Sequence, residues 1–95
     1  MKIAIFCAKS AGLLYVLCLL PDGVTEISSA GRMDFGISDI AKKAGCSYKC
    51  FDSAEEAIDE ADRVFVIWDG MDKRMTDAVK TAKRKGKEVM FSFLP

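Results

Sequence analysis

Apolar residues along this chain follow two periods, one of strand type and one of helix type. Ile3–Cys7 and Val64–Trp68 are unbroken apolar runs of strand length, which predicts strands buried on both faces. Val24–Ser28 and Ser47–Phe51 mix polar and apolar residues, as strands nearer a sheet edge do. Glu88–Phe93 is a further run, centred on Val89, Met90 and Phe91. Between the strands, Ile37, Ile40, Ala41 and Ala44 fit the i, i+3, i+4, i+7 spacing of an amphipathic helix. Ala54, Ala57, Ile58 and Ala61 fit it too, as do Met75, Ala78, Val79 and Ala82. Leu13, Val16, Leu17 and Leu20 make such a face earliest in the chain.

The helix ends agree with this pattern. Ser53 with Glu56 forms a capping box, and Asp34 and Asp72 stand at cap positions. Lys83, Arg84 and Lys85 fall in a last turn, where the helix dipole favours cations, and Gly86 follows as a stop. Strand and helix therefore alternate as βαβαβαβαβ. That order predicts one α/β domain over residues 1–95: a three-layer, Rossmann-like open parallel sheet of five strands with helices on both faces. The two fully apolar strands belong together at the centre, which the order 3-2-1-4-5 provides. Right-handed crossovers then put the first two helices on one face and the last two on the other.

The opening stretch MKIAIFCAKSAGLLYVLCLL is apolar enough to suggest a secretory signal or a membrane span. Lys9, Ser10 and Gly12 interrupt it, and Pro21, Asp22 and Gly23 stand where a small-residue cleavage site would follow Leu20. The expectation is a strand, a loop and a helix in a cytoplasmic protein without membrane association. That helix also carries Leu14, Tyr15, Cys18 and Leu19, so it is apolar nearly all round. One face suffices to cover a sheet, and the surplus predicts a homodimer through this first helix.

Composition narrows the function. Fourteen Lys and Arg balance fourteen Asp and Glu, which points to neither nucleic acid nor an anionic membrane. Histidine is absent, which removes the commonest general base and a common metal ligand, so no metal site is expected. Of the cysteines Cys7, Cys18, Cys46 and Cys50, only the last two are close, and their three-residue separation has no matching second pair. Reduced, mostly buried thiols are expected. Lys73–Lys87 holds seven basic residues and one acid, Asp77, but Asp52–Asp62 on the neighbouring helix holds six acids and no base. Two adjacent helices of opposite charge are expected to pair, each exposed pair contributing ~0–1 kcal/mol.

In open parallel sheets, ligands lie beyond the carboxyl ends of the strands, where the strand order reverses. Here that crevice falls between the first and fourth strands. It is faced by the loops Ala8–Gly12 and Asp69–Lys73, with Ser28–Asp34 adjacent. Gly31 and Gly70 allow close backbone approach; Ser10, Ser28 and Ser29 supply hydroxyls; Lys9, Arg32 and Lys73 suit phosphate charge; Asp69 suits a ribose hydroxyl or a cation. Local alternatives stay open: Asp69-Gly70 is also a turn dipeptide, Arg32 and Lys73 are also solvated cations, and Trp68 is also a core residue. No catalytic residue is assigned and the cofactor is left unnamed.

The segment ADRVFVIWDGMDKRMTDAVKTAKRKGKEV, Ala61–Val89, resembles the closing part of the SLOG superfamily, in particular its small YspA-like (DUF2493) proteins. Those proteins carry a strand ending in W-D-G, a short polar loop, a helix and a K-x-G-K-x-V return strand. LLPDGVTEISSAGRMD, Leu19–Asp34, resembles the family's second strand and glycine-rich loop, and CSYKCF falls where the family has a short strand. The resemblance implies a Rossmann-like fold that binds a nucleotide or nucleotide-derived small molecule. The chain departs from the family at Arg74-Met75, where a Gly-Thr pair is usual, and at Ser28–Gly31, where a double glycine is usual. A long segment between the third and fourth strands is here one short helix.

KIAIFCAKSAGLL, Lys2–Leu14, is similar to the opening of the IIB components of sugar phosphotransferase systems, in which a cysteine ending the first strand accepts phosphate. That likeness implies a cysteine-phosphorylated carrier with Cys7 as nucleophile. Ser10 stands where that family has a glycine. The leading expectation is a non-catalytic Rossmann-like module that binds, or descends from binders of, a nucleotide-type ligand. The carrier is the alternative, and a structural or interaction domain, favoured by the altered loops, is the third.

Overall fold

A computed structural model describes residues 1–7, 16–18, 20–31, 36–68 and 73–93 of the chain. Among them are five strands, β1 (Lys2–Cys7), β2 (Glu26–Ala30), β3 (Ser47–Phe51), β4 (Arg63–Trp68) and β5 (Glu88–Phe93). The helices are α1 (Ile37–Ala44), α2 (Ala54–Glu60) and α3 (Lys73–Arg84), and Val16–Cys18 is also helical. The strands form a single parallel sheet in the order β3-β2-β1-β4-β5. The fold is therefore the Rossmann-like α/β arrangement that the apolar pattern predicts, with β1 and β4 in register from Ile3↔Arg63 to Cys7↔Ile67.

Strand alternation divides the core in two. Ala4, Phe6, Ala30, Val64 and Val66 face α2 and α3, where they meet Ala57, Ile58, Ala61, Met75, Ala78 and Ala82. Ile3, Ile5, Cys7, Ile27, Phe65 and Ile67 face the other way, onto Val16 and the Ile37, Ile40 and Ala41 stripe of α1. Because β1 and β4 bury both of their faces, neither tolerates a polar residue on either side, which is why they read as unbroken apolar runs. The alanines let the helices approach the sheet closely, and each fully buried isoleucine contributes about 1.5–3 kcal/mol.

β2 departs from expectation. It begins at Glu26 rather than Val24 and continues to Ala30. Ahead of this start, the Met1 nitrogen donates to the Gly23 carbonyl at 3.0 Å, and the Thr25 N–H donates to the Met1 carbonyl at 2.9 Å. Val24 thus precedes the ladder. At the other end, Ser28 and Ser29 are polar but small enough to be buried in the strand, and the Ser28 hydroxyl donates a long 3.5 Å bond to the Ile3 carbonyl.

The caps divide similarly. Ser53 precedes α2 and its Oγ accepts the Glu56 N–H at 3.2 Å, while its hydroxyl also reaches Glu56 Oε1 at 3.3 Å. The capping partners are those expected, with the carboxylate bound by the serine hydroxyl. Before α1, the cap position is held by Gly36 in a left-handed conformation with no side-chain cap bond. Asp34, expected there, and Asp72 both lie outside the described residues.

Opposite charges on α2 and α3 do meet. Lys85 Nζ lies 2.7 Å from Asp59 and 3.3 Å from Glu55, and Arg84 reaches Glu55 at 3.8 Å. The hydrogen bond to Asp59 is the main reason the Lys85 ammonium is held above the ordinary lysine pKa. The basic run is in this part a partner for the acidic helix. The cysteine expectation needs correction: all four are free, but only Cys7 is buried, whereas Cys18 and Cys50 are exposed and Cys46 is half-buried. Cys50 lies on edge strand β3, and Cys18 points away from the sheet that buries its neighbour Val16.

Among the described residues no helix is long and apolar enough to cross a membrane. Of the first helix, Leu17 and Leu20 are half-buried, while Leu14, Tyr15 and Leu19 lie outside the described residues.

Candidate functional site

Two properties of the fold mark the place where the strand order reverses. β1 and β4 are neighbours, and the crossovers leaving them run to opposite faces: β1 leads toward the side of Val16 and α1, β4 toward the side of α3. The strand order reverses at this pair, so the carboxyl ends of β1 and β4, at Cys7 and Trp68, are the topological switch point at which open α/β sheets bind ligands. Cys7 is buried on the α1 side. Trp68 is half-buried on the α3 side, where its ring meets Phe91 edge-on with centroids 5.9 Å apart. Trp68 therefore belongs to the rim of the core, as its place at the end of an apolar run implies.

The expected site residues divide into three groups. Lys9, Ser10, Arg32, Asp69 and Gly70 lie outside the described residues. Ser28 and Ser29 are inside β2 and buried beneath the helices, so their hydroxyls belong to the interior of the sheet. Gly31 and Lys73 stand at the carboxyl edge. Gly31 directly follows β2 with φ +39°, in the left-handed region that favours glycine. A Cβ placed there would lie 3.6 Å from the Asp52 carbonyl, so the turns leaving β2 and β3 run close together.

Lys73 opens α3. The described first turn of this helix holds Lys73 and Arg74 and no acid. That is the reverse of the usual preference, because the positive end of the helix dipole disfavours cations by about 0.3–1 kcal/mol each. An anion lying at this end would reverse the balance, drawing on both the side-chain charges and the backbone N–H groups. The sequence places Lys73 here, but does not reveal the approach of Gly31 to the Asp52 carbonyl. Among the described residues no three Cys, Asp or Glu side chains gather as a metal site would require.

No family model matches the chain, and no curated protein matches it. Among solved structures it is similar to apo scyllo-inositol dehydrogenase from Lactobacillus casei, at 16% identity and a TM-score of 0.60. The match covers 95% of this chain and 27% of that one, so the chain spans about a quarter of the dehydrogenase's length. At this identity the likeness establishes the Rossmann-like fold alone.

Proposed function

We propose that this chain is a Rossmann-like module that binds a nucleotide-type ligand at the carboxyl edge between β1 and β4, without performing chemistry on it. The observation that carries the proposal is Lys73, exposed at the described start of α3, in a first turn without an acid and on the strand-order reversal between β1 and β4. Phosphate is the group such a place suits, since it accepts from backbone N–H groups and pairs with lysine and arginine. The resemblance to the SLOG superfamily supports the same ligand class and makes this chain a reduced relative of its YspA-like members. The structural neighbour is by name a dehydrogenase, but it shares only the fold with this chain.

The carrier alternative requires Cys7 to reach a phosphoryl donor. Cys7 is 1% exposed, which weighs against it. Free thiols support a cytoplasmic location as part of the same proposal. Self-association is also part of it, with the homodimer first expected through the amino-terminal helix.

Titration of ADP-ribose, AMP and NAD against thermal unfolding tests the ligand. A bound nucleotide raises stability by mass action, so the midpoint climbs with concentration for at least one of the three. No rise with any of them refutes nucleotide binding.

A further inference from the structure

The pairing between α2 and α3 leaves charges of both signs unused. The two helices cover the same face of the sheet, and because all strands are parallel both run from its carboxyl edge to its amino edge. Glu55 and Asp59, four residues apart, form the row of α2 that meets Arg84 and Lys85. Acid and base cancel along this seam. Glu56 and Glu60 form the next row of α2, turned away from the seam, and both are exposed. On α3, Lys80 and Lys83 are one turn apart and exposed likewise. Among the described residues none of these four enters an ion pair. The layer thus carries an acidic row, a neutralised seam and a basic row, side by side.

We infer that this helical layer docks a second copy of the chain about a two-fold axis parallel to the helices, so that the acidic row of each α2 lies on the basic row of the other copy's α3. The inference rests on the self-association included in the function proposed above, and gives it a surface other than the first helix. The charge pattern selects the occupant. A layer with acidic and basic rows flanking a neutral seam complements itself when turned over about that seam, and a symmetric contact uses both rows at once. An axis running across the helices would set acid on acid and base on base. A partner of one charge sign would match one row and be repelled by the other.

The level of the rows agrees. Glu55 meets Arg84 and Lys85, so the start of α2 stands beside the last turns of α3, where Lys80 and Lys83 lie. Rotation about an axis parallel to the helices keeps that level. Asp77, the one acid of α3, stands a turn nearer the carboxyl edge, and Lys73 two turns nearer, so the proposed ligand edge stays outside the contact. Two short helices make a small face, and its charges are exposed. The association is therefore of the weak class and falls as salt rises.

Sedimentation equilibrium from micromolar to millimolar concentration, at low and at high salt, tests the interface. The unaltered chain is expected to dimerise at low salt and to dissociate at high salt. Lys80→Glu with Lys83→Glu makes both rows acidic, and Glu56→Lys with Glu60→Lys makes both basic. Each variant alone is expected to sediment as a monomer with its circular dichroism retained. Their equimolar mixture is expected to dimerise, because every acidic row then meets a basic one. A mixture that stays monomeric overturns the inference. A dimer that survives both reversals but dissociates with Cys18→Asp also overturns it, and leaves self-association through the first helix. An unaltered chain that is monomeric throughout overturns this interface and the self-association together. Should Glu56→Lys with Glu60→Lys fail to fold, Lys80→Glu with Lys83→Glu decides alone, and undiminished dimerisation of that variant overturns the inference.

Discussion

Lys85, just past the end of α3, holds the Asp59 carboxylate of α2 at 2.7 Å and is the hinge of the charge pairing between these helices. The contact is only partly shielded, with the Lys85 side chain 22% exposed and that of Asp59 54% exposed. Lys87 adds a 3.3 Å bond from its ammonium to the Asp59 carbonyl, so two cations converge on one residue of α2.

That contact fixes the sign of a pH dependence. The folded-state pKa of Lys85 is raised, chiefly by the hydrogen bond to Asp59. The ammonium therefore contributes its stability fully below the unfolded lysine pKa and loses it as pH rises through the higher folded value. Urea midpoints measured across the alkaline range should fall more steeply for the unaltered chain than for Asp59→Asn. High salt should reduce the difference between them. Equal slopes for both chains would remove Asp59 from the account.

A second clamp joins β1 to the start of β4. Asp62 Oδ2 accepts the Lys2 N–H at 2.8 Å, and the Asp62 N–H donates to the Lys2 carbonyl at 2.8 Å. Asp62→Ala removes the first bond and keeps the second, so the loss should be about 0.5–1.5 kcal/mol. The denaturant midpoint reports it directly. A loss near that of a core truncation such as Ile58→Ala, which should reach about 2–5 kcal/mol, would mean that Asp62 does more than cap this edge.

The strand order was legible because burial on both faces leaves no polar position, and Ile3–Cys7 and Val64–Trp68 carry that mark unmistakably. β2 was displaced by two residues because Ser28 and Ser29 look like loop residues and yet are small enough to be buried under helices. Polarity and burial separate at small side chains, and periodicity cannot follow them there. Of the site, the sequence made Lys73 legible through topology alone. It did not reveal the approach of Gly31 to Asp52, since contact between turns leaving neighbouring strands has no repeating pattern. The ligand was least legible, because loop chemistry is not periodic and the W-D-G likeness stands without the glycines that usually accompany it.

Gly31 turns this into a measurement. With φ +39° its backbone lies where side chains are strained, although a Cβ would meet the Asp52 carbonyl only at ordinary contact distance, 3.6 Å. Gly31→Ala should cost about 1–2 kcal/mol through backbone strain alone. Calorimetry of the variant gives the value. No loss would mean that the turn relaxes, and close approach to Asp52 would then not constrain the edge.

The proposed ligand edge predicts a separation between affinity and stability. Lys73 is exposed in the first turn of α3, and Arg32 and Asp69 complete the expected charges. Lys73→Ala, Arg32→Ala and Asp69→Ala should each weaken whichever nucleotide proves to raise stability. The stability of Lys73→Ala should stay within about ±0.5 kcal/mol of the unaltered chain, as exposed substitutions usually do. Unchanged affinity in all three would move the site away from the β1–β4 junction.

Thiol reactivity distinguishes the binding module from the phosphoryl carrier. Cys7 is 1% exposed and packs among Ile3, Ile5, Ile27 and Ile67, while Cys18 and Cys50 are exposed. A thiol buried in this way is screened from the reagent until the fold opens. Iodoacetamide at neutral pH should therefore label Cys18 and Cys50 promptly, Cys46 more slowly, and Cys7 only when the chain unfolds. Peptide mapping by mass spectrometry follows each site separately. The slow phase at Cys7 should accelerate with denaturant along the unfolding curve, because opening of the fold is what exposes it. A carrier behaves otherwise. Its cysteine must meet a phosphoryl donor in the folded state, so it labels rapidly without denaturant and is protected by phosphate. Rapid, phosphate-quenched labelling of Cys7 would overturn the non-catalytic proposal and make this strand end the reactive centre.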